Sequence, residues 1–409
     1  MTLESEHFIV YFGVRNPVDG KGLGCEGVRD RMVVLTYLDA LEALYDIMIS
    51  RPWNREAPVV DKSGKTRVYI CNSEPFTAED SFADTNPPGK RVPYIVLPSR
   101  NSEPTSQAEL HRAIAEAVHE ATHVFNYRER PLYEPISAAW EWFDEGMAVF
   151  LETVVASGNP DYFRFIINWI DMPELSLDDP RGKYQAGMFV RYLSKRIGLE
   201  FINDVWMNSK KKEKPLEALE RILPKYKKGL KLVSSSPYKP DLFASGYCME
   251  PYFLWDHESA GHAPDVFMRY GERAVCASNI LRPQQPLVTK GVLNHLACSY
   301  HRYYLKGNIS SINFQLTTTA LADGTTPLKA EITIATPNKQ RHPQVITLVP
   351  VQSVATGGEI ALSADLTIAD PDDIDHIILV VSNCGVRADS DEDIEHDDKI
   401  GYTVQVSPL

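Results

Sequence analysis

The chain has 409 residues, 44% of them hydrophobic and 24% charged, with a net charge of −13. A chain this long outgrows a single core, so two or three domains are expected. The acidic balance argues against nucleic acid or an anionic membrane as partner, since phosphates would be repelled, and no apolar run is long enough for a membrane span. The first residues, Met1 to His7, are polar and acidic and form no signal peptide, so the protein is expected either to stay inside the cell or to have lost a leader. The six cysteines are scattered without a C-x-x-C pair and read as small buried apolar residues rather than a disulfide framework.

In chain order, His7–Phe12 is β-branched and aromatic and predicts a first strand. A glycine-rich link, Gly20–Gly27, leads to apolar residues at helical spacing (Val33, Leu35, Leu38, Leu41, Leu44, Ile47), which predict a helix over about 28–50. Thr66–Cys71 and Val92–Pro98 predict two further strands. Pro93 and Pro98 cannot donate ladder hydrogen bonds, which suggests an edge position for the second. Such an edge either pairs with an extended peptide or is blunted and binds nothing. Ser106–Glu109 has the pattern of a capping box. It opens a helix whose apolar stripe runs Leu110, Ile114, Ala117, Val118, Ala121, Phe125. Further helices are expected over 136–155, 162–170, 183–198, 201–207, 216–223 and 241–255. Beyond Pro283–Pro286 the texture changes to alternating β-rich runs separated by Gly, Asp and Pro, the pattern of an antiparallel β-sandwich. The expected organisation is α+β: residues 1–285 as one domain (a sheet and helix lobe over 1–130, a helical lobe over 131–285), then an all-β sandwich over 286–409.

The helix after Ser106 carries His119-Glu120-Ala121-Thr122-His123. Positions i and i+4 of a helix share a face, so His119 and His123 can both reach one zinc ion. Glu120 points about 100° away around the helix, so it is placed to act beside the metal rather than to bind it. A third ligand is expected, and Glu145, in Trp142-Phe143-Asp144-Glu145-Gly146-Met147-Ala148, is read as that ligand. Zinc held this way keeps a position for water, lowers its pKa and polarises a carbonyl, with Glu120 as general base and then acid. Asp144, Glu116 and Asn126 are candidates to orient the imidazoles. His257 and His262 are five residues apart and fall on different helix faces; a loop is the better reading. The acidic run Asp389–Asp398 reads as a solvated hairpin loop before a calcium site.

Residues His119 to Glu145 resemble the gluzincin group of zinc metallopeptidases, in which an H-E-x-x-H helix supplies two ligands and a following helix supplies Glu. Trp142–Ala148 resembles the W-x-x-E-G-x-A pattern of the aminopeptidase-like branch, and the resemblance covers roughly residues 5 to 225. It implies a zincin-like domain, a small mixed sheet with helices, and a peptide or protein substrate. It also implies that Tyr184, in Tyr184-Gln185-Ala186-Gly187, stabilises the oxyanion; Ala186 stands where that branch has Lys. The 21 residues between His123 and Glu145 exceed that branch's usual spacing. Its G-x-M-E-N anchor is absent before the zinc helix, and Gly246–Glu250 is a chance echo. An endopeptidase is therefore favoured over an aminopeptidase. The alternatives are a zincin-like binding module without peptidase activity and a zinc hydrolase of a non-peptide substrate.

Overall fold

The computed structural model describes the chain apart from a set of segments, the longer ones being 72–79, 85–91, 99–105, 130–137, 157–164, 234–240, 250–276, 320–325, 336–344, 351–357 and 386–398. His257–His262 and Asp389–Asp398 lie outside the described residues. The protein is α+β, with a β-rich C-terminal part. Its contacts divide it into two compact units: Met1–Ile166 with Lys183–Ala218, and Ile167–Gly182 with Leu219–Leu409.

The first unit is built on a five-stranded sheet. Its strands are β1 (Thr2–Glu4), β2 (Phe8–Tyr11), β5 (Thr66–Cys71), β6 (Asp80–Asp84) and β7 (Val92–Pro98), in the order β1-β2-β5-β7-β6. β2, β5 and β7 run parallel; β1 and β6 pair antiparallel at the two ends. A hairpin of β3 (Val14–Val18) and β4 (Leu23–Glu26) occupies the stretch expected to be a plain glycine-rich link. The expected edge position of β7 is overturned. β6 pairs along it, with Ala83 opposite Pro93, so the prolines are tolerated inside the ladder and β6 takes the edge. Asp80-Ser81-Phe82-Ala83-Asp84 has too little β-branched character to announce a strand.

Helix α1 (Arg31–Ile49) starts where Asp30 accepts a hydrogen bond from the Met32 amide at 2.8 Å. It buries a stripe of Val34, Tyr37, Leu38, Leu41, Leu44 and Met48. Helix α2 (Gln107–Glu129) follows β7 and starts at Ser106, whose hydroxyl accepts from the Glu109 amide at 3.2 Å. α2 lies beside β7 and β6 on one side and α1 and α3 (Ala138–Val155) on the other. α4 (Ala186–Arg196) packs along α3, followed by α5 (Leu199–Met207). Two glycines bring α3 and α4 together. A Cβ on Gly146 would stand 3.0 Å from the Ala186 backbone, and one on Gly187 would stand 2.5 Å from Val149 Cγ1. Trp140 meets Phe143 and Trp206 edge-on at ring separations of 5.8 and 5.7 Å, and Trp142 lies against Phe189. The aromatic residues around Glu145 are thus the packing that fixes α3.

Helix α6 (Pro215–Tyr226) contains the division between the units, which falls after Ala218. Of the stretch expected as helix over 241–255, residues Asp241–Ser245 form turns and Tyr247–Met249 a short 3-10 helix; the rest falls outside the described residues. Among the described residues ten strands follow: β8 (Ala277–Leu281), β9 (Leu287–Leu293), β10 (Ala297–Leu305), β11 (Ser311–Thr319), β12 (Leu328–Ala335), β13 (Val345–Thr347), β14 (Val349–Pro350), β15 (Glu359–Thr367), β16 (His376–Asn383) and β17 (Ile400–Pro408). They form two sheets, β13-β12-β16-β10-β8 and β14-β15-β11-β17-β9. Inward residues of both, among them Tyr303, Leu379, Phe314 and Val404, share one core. β11 shows the period of two, buried and half-buried in alternation. The segment Ile167–Gly182 groups with these strands although it sits in the stretch expected to belong to the helical lobe. Leu177 N donates to Leu296 O at 3.2 Å and Cys298 N to Pro173 O at 2.9 Å. Such pairings are set by distant sequence and leave no local pattern. Cys248, Cys298 and Cys384 are buried and not joined in disulfides.

Candidate metal centre

α2 and α3 lie side by side, and this brings the two halves of the motif together. His119 and His123, one turn apart on α2, face Glu145 on α3. Glu145 Oε2 is 2.9 Å from His119 Nε2 and 3.6 Å from His123 Nε2. One donor atom from each of the three residues lies within 4.8 Å of the others. Ligands about 2.0–2.2 Å from a zinc ion stand roughly 3.4 Å apart in a tetrahedral shell. The two separations from Glu145 bracket that value, and two imidazoles with one carboxylate are a donor set suited to zinc. The three residues fit such an ion.

The far nitrogen of each imidazole is held as well. His119 Nδ1 is 2.7 Å from Glu152 Oε1, and His123 Nδ1 is 2.9 Å from Asp144 Oδ2. Asn126 donates to Asp144 Oδ1 at 2.6 Å, completing a buried chain behind His123. Asp144 and Asn126 thus stand where the sequence reading put them. Glu152 was missed, although it follows Glu145 by seven residues, two turns along the same face of α3.

Charge balance follows from these pairs. Burial pushes the His119 imidazole down, but hydrogen bonds with Glu145 and Glu152 outweigh it and push it up to about 10. Burial likewise opposes the charged form of His123, and Asp144 and Glu145 raise it well above the ordinary value. Burial pushes the Glu145 carboxyl up, yet its hydrogen bonds to both histidines hold it well below the usual carboxylate range. The carboxylates on the Nδ1 side, Glu152 and Asp144, are the kind of partner that makes a ligating imidazole a stronger donor to a cation.

Glu120 is buried at 6% exposure beside His119. Tyr184 sits on the 3-10 turn Pro180–Gln185 that leads into α4. Its ring is 5.9 Å from that of His119 and stacks on Phe165 at 5.6 Å. Burial, with Glu145 and Glu120 nearby, pushes its phenol up, so it stays a proton donor at neutral pH. Lys183, unremarked in the sequence, donates to Glu141 Oε1 at 2.8 Å and to Glu145 Oε1 at 2.9 Å. Only its position next to Tyr184 could have drawn notice.

The site defines an α+β protein with a buried His–His–Glu cluster that could hold a metal. Residues 2–231, more than half of the chain, match a family of unknown function (DUF6055), and the chain belongs to that family. No curated protein matches it. Among solved structures, it is similar to the CBM22-2 xylan-binding domain of Paenibacillus barcinonensis Xyn10C, with 9% identity over 25% of this chain and 65% of that one and a TM-score of 0.18. It is also similar to PliG of Aeromonas hydrophila, a periplasmic inhibitor of g-type lysozyme, with 12% identity over 32% of this chain and 96% of that one and a TM-score of 0.17.

Proposed function

We propose that this protein is a zinc-dependent peptidase of gluzincin type, an endopeptidase rather than an aminopeptidase. The observation that carries the reading is the convergence of His119 Nε2, His123 Nε2 and Glu145 Oε2, with Glu152 and Asp144 fixing the far side of each imidazole. Zinc bound there would supply an activated water and a polarised substrate carbonyl. Glu120 would take a proton from that water and pass it to the departing amine. Tyr184 directs its hydroxyl proton toward the developing oxyanion. β6, at the sheet edge and beside α2, offers the backbone groups to which an extended peptide adds a strand, and this favours a peptide substrate. Among the described residues no helix is long and apolar enough to cross a membrane.

The test is zinc content together with cleavage of a denatured protein, for the wild type and Glu120→Gln. One zinc in both is expected, with cleavage reduced about 10²–10⁴-fold in the variant. Zinc in both without cleavage by either would shift the reading to a non-peptide substrate or a binding module. No zinc in either, even after reconstitution, would remove the metal centre altogether.

A further inference from the structure

The two oxygens of Glu145 have different partners. Oε2 faces both imidazoles, at 2.9 and 3.6 Å. Oε1 accepts from Lys183 Nζ at 2.9 Å. The same ammonium is held by Glu141 Oε1 at 2.8 Å, one turn earlier on α3, and lies 5.1 Å from the centre of the Tyr184 ring. A surface lysine seeking only a counter-ion would be satisfied by Glu141, whose side chain is 43% exposed. Lys183 instead also reaches inward to a carboxylate that is 12% exposed. A carboxylate can give one oxygen or both to a cation. An ammonium fixed on one oxygen leaves the other as the ligand.

We infer that Lys183 is a positioning residue which holds Glu145 to one-oxygen ligation, keeping a place at the metal open for water and substrate, and which anchors the turn that carries Tyr184. The inference rests on the metal reading above. It concerns Lys183 because its compact charge sits on a side chain adjacent in sequence to Tyr184, so one short turn sets both the ligand and the oxyanion donor.

The full chain is titrated with Co²⁺ as the probe, and its visible absorption is compared for wild type, Lys183→Met and Lys183→Gln. The glutamine variant decides the matter if the methionine variant does not fold, as judged by near-ultraviolet circular dichroism. The expected result is one Co²⁺ per chain throughout, with the visible bands several-fold weaker in the variants as Glu145 turns its second oxygen to the ion and the coordination number rises. Full Co²⁺ uptake with identical spectra in all three would overturn the role of Lys183 and leave the metal centre standing. Absence of Co²⁺ uptake by the wild type would instead sink the metal reading, and this inference with it.

Discussion

Glu152 has a side chain only 7% exposed, and its Oε1 lies 2.7 Å from His119 Nδ1. A buried carboxylate is costly unless it is paired. Here the pairing also sets the tautomer a cation would need: a proton kept on Nδ1, facing Glu152, leaves Nε2 as the atom that gives up its proton to bind the ion. Replacing Glu152 with Gln keeps the shape and an acceptor but removes the charge that makes the imidazole a strong donor. Zinc affinity, measured by competition with a chelator, should weaken about 10-fold or more. An unaltered affinity would reduce Glu152 to a packing residue. The two ligand histidines and Glu145 were legible because H-E-x-x-H has a fixed geometry on a helix. Glu152 and Lys183 were not, since their roles depend on which helix or turn comes to lie alongside, a tertiary fact.

The crossing of α3 and α4 decides how closely Tyr184 approaches His119. It depends on two residues without side chains. A methyl group at Gly187 would overlap Val149 Cγ1 at 2.5 Å, well inside contact distance, and Val149 is itself 1% exposed with nowhere to move. Gly187→Ala is therefore expected to destabilise the protein by about 1–3 kcal/mol through overpacking, despite the better helix propensity of Ala. The measurement is the midpoint of urea unfolding. A variant as stable as the wild type would mean that the helices can separate without cost, and that Tyr184 is not rigidly placed. Both glycines stand in the two short patterns read from the sequence, Glu145-Gly146 and Tyr184 to Gly187. The patterns pointed to chemistry, and the structure gives the glycines a packing reason as well. Helices α1 to α3 were legible from apolar period. The β3–β4 hairpin and β6 were hidden in stretches of Gly, Asp and Pro, where local composition speaks against strands and only pairing with neighbours makes them.

Buried histidines occur in both compact units, and what each one faces sets its response to acid. In the first unit His119 and His123 face carboxylates, as His295 faces Asp178 in the second. In the second, His301 on β10 is 2% exposed and has only hydroxyl neighbours: Nε2 is 3.0 Å from Tyr402 OH and 3.3 Å from Ser299 Oγ, while Nδ1 has no partner among the described residues. Tyr402 is itself buried, and its ring occupies the space over Gly291 on the neighbouring strand. Burial alone pushes the His301 imidazole down from 6.5 to about 4. In that window the unfolded chain binds the proton and the folded unit does not, so stability rises with pH. The contribution is complete above 6.5, is lost progressively as pH falls, and changes no further below about 4. The shift corresponds to roughly 3 kcal/mol. Many carboxylates also titrate there, so the informative quantity is the difference between the wild type and His301→Gln, which can keep a hydrogen bond to Tyr402 but takes up no proton. Unfolding by urea at pH 7 and pH 4.5 should show the wild type losing at least 2 kcal/mol more than the variant, with most of that lost by the β-rich unit. Equal losses would mean that His301 is reached by water in the folded state, and that the polar cluster between its two sheets is looser than its close contacts suggest.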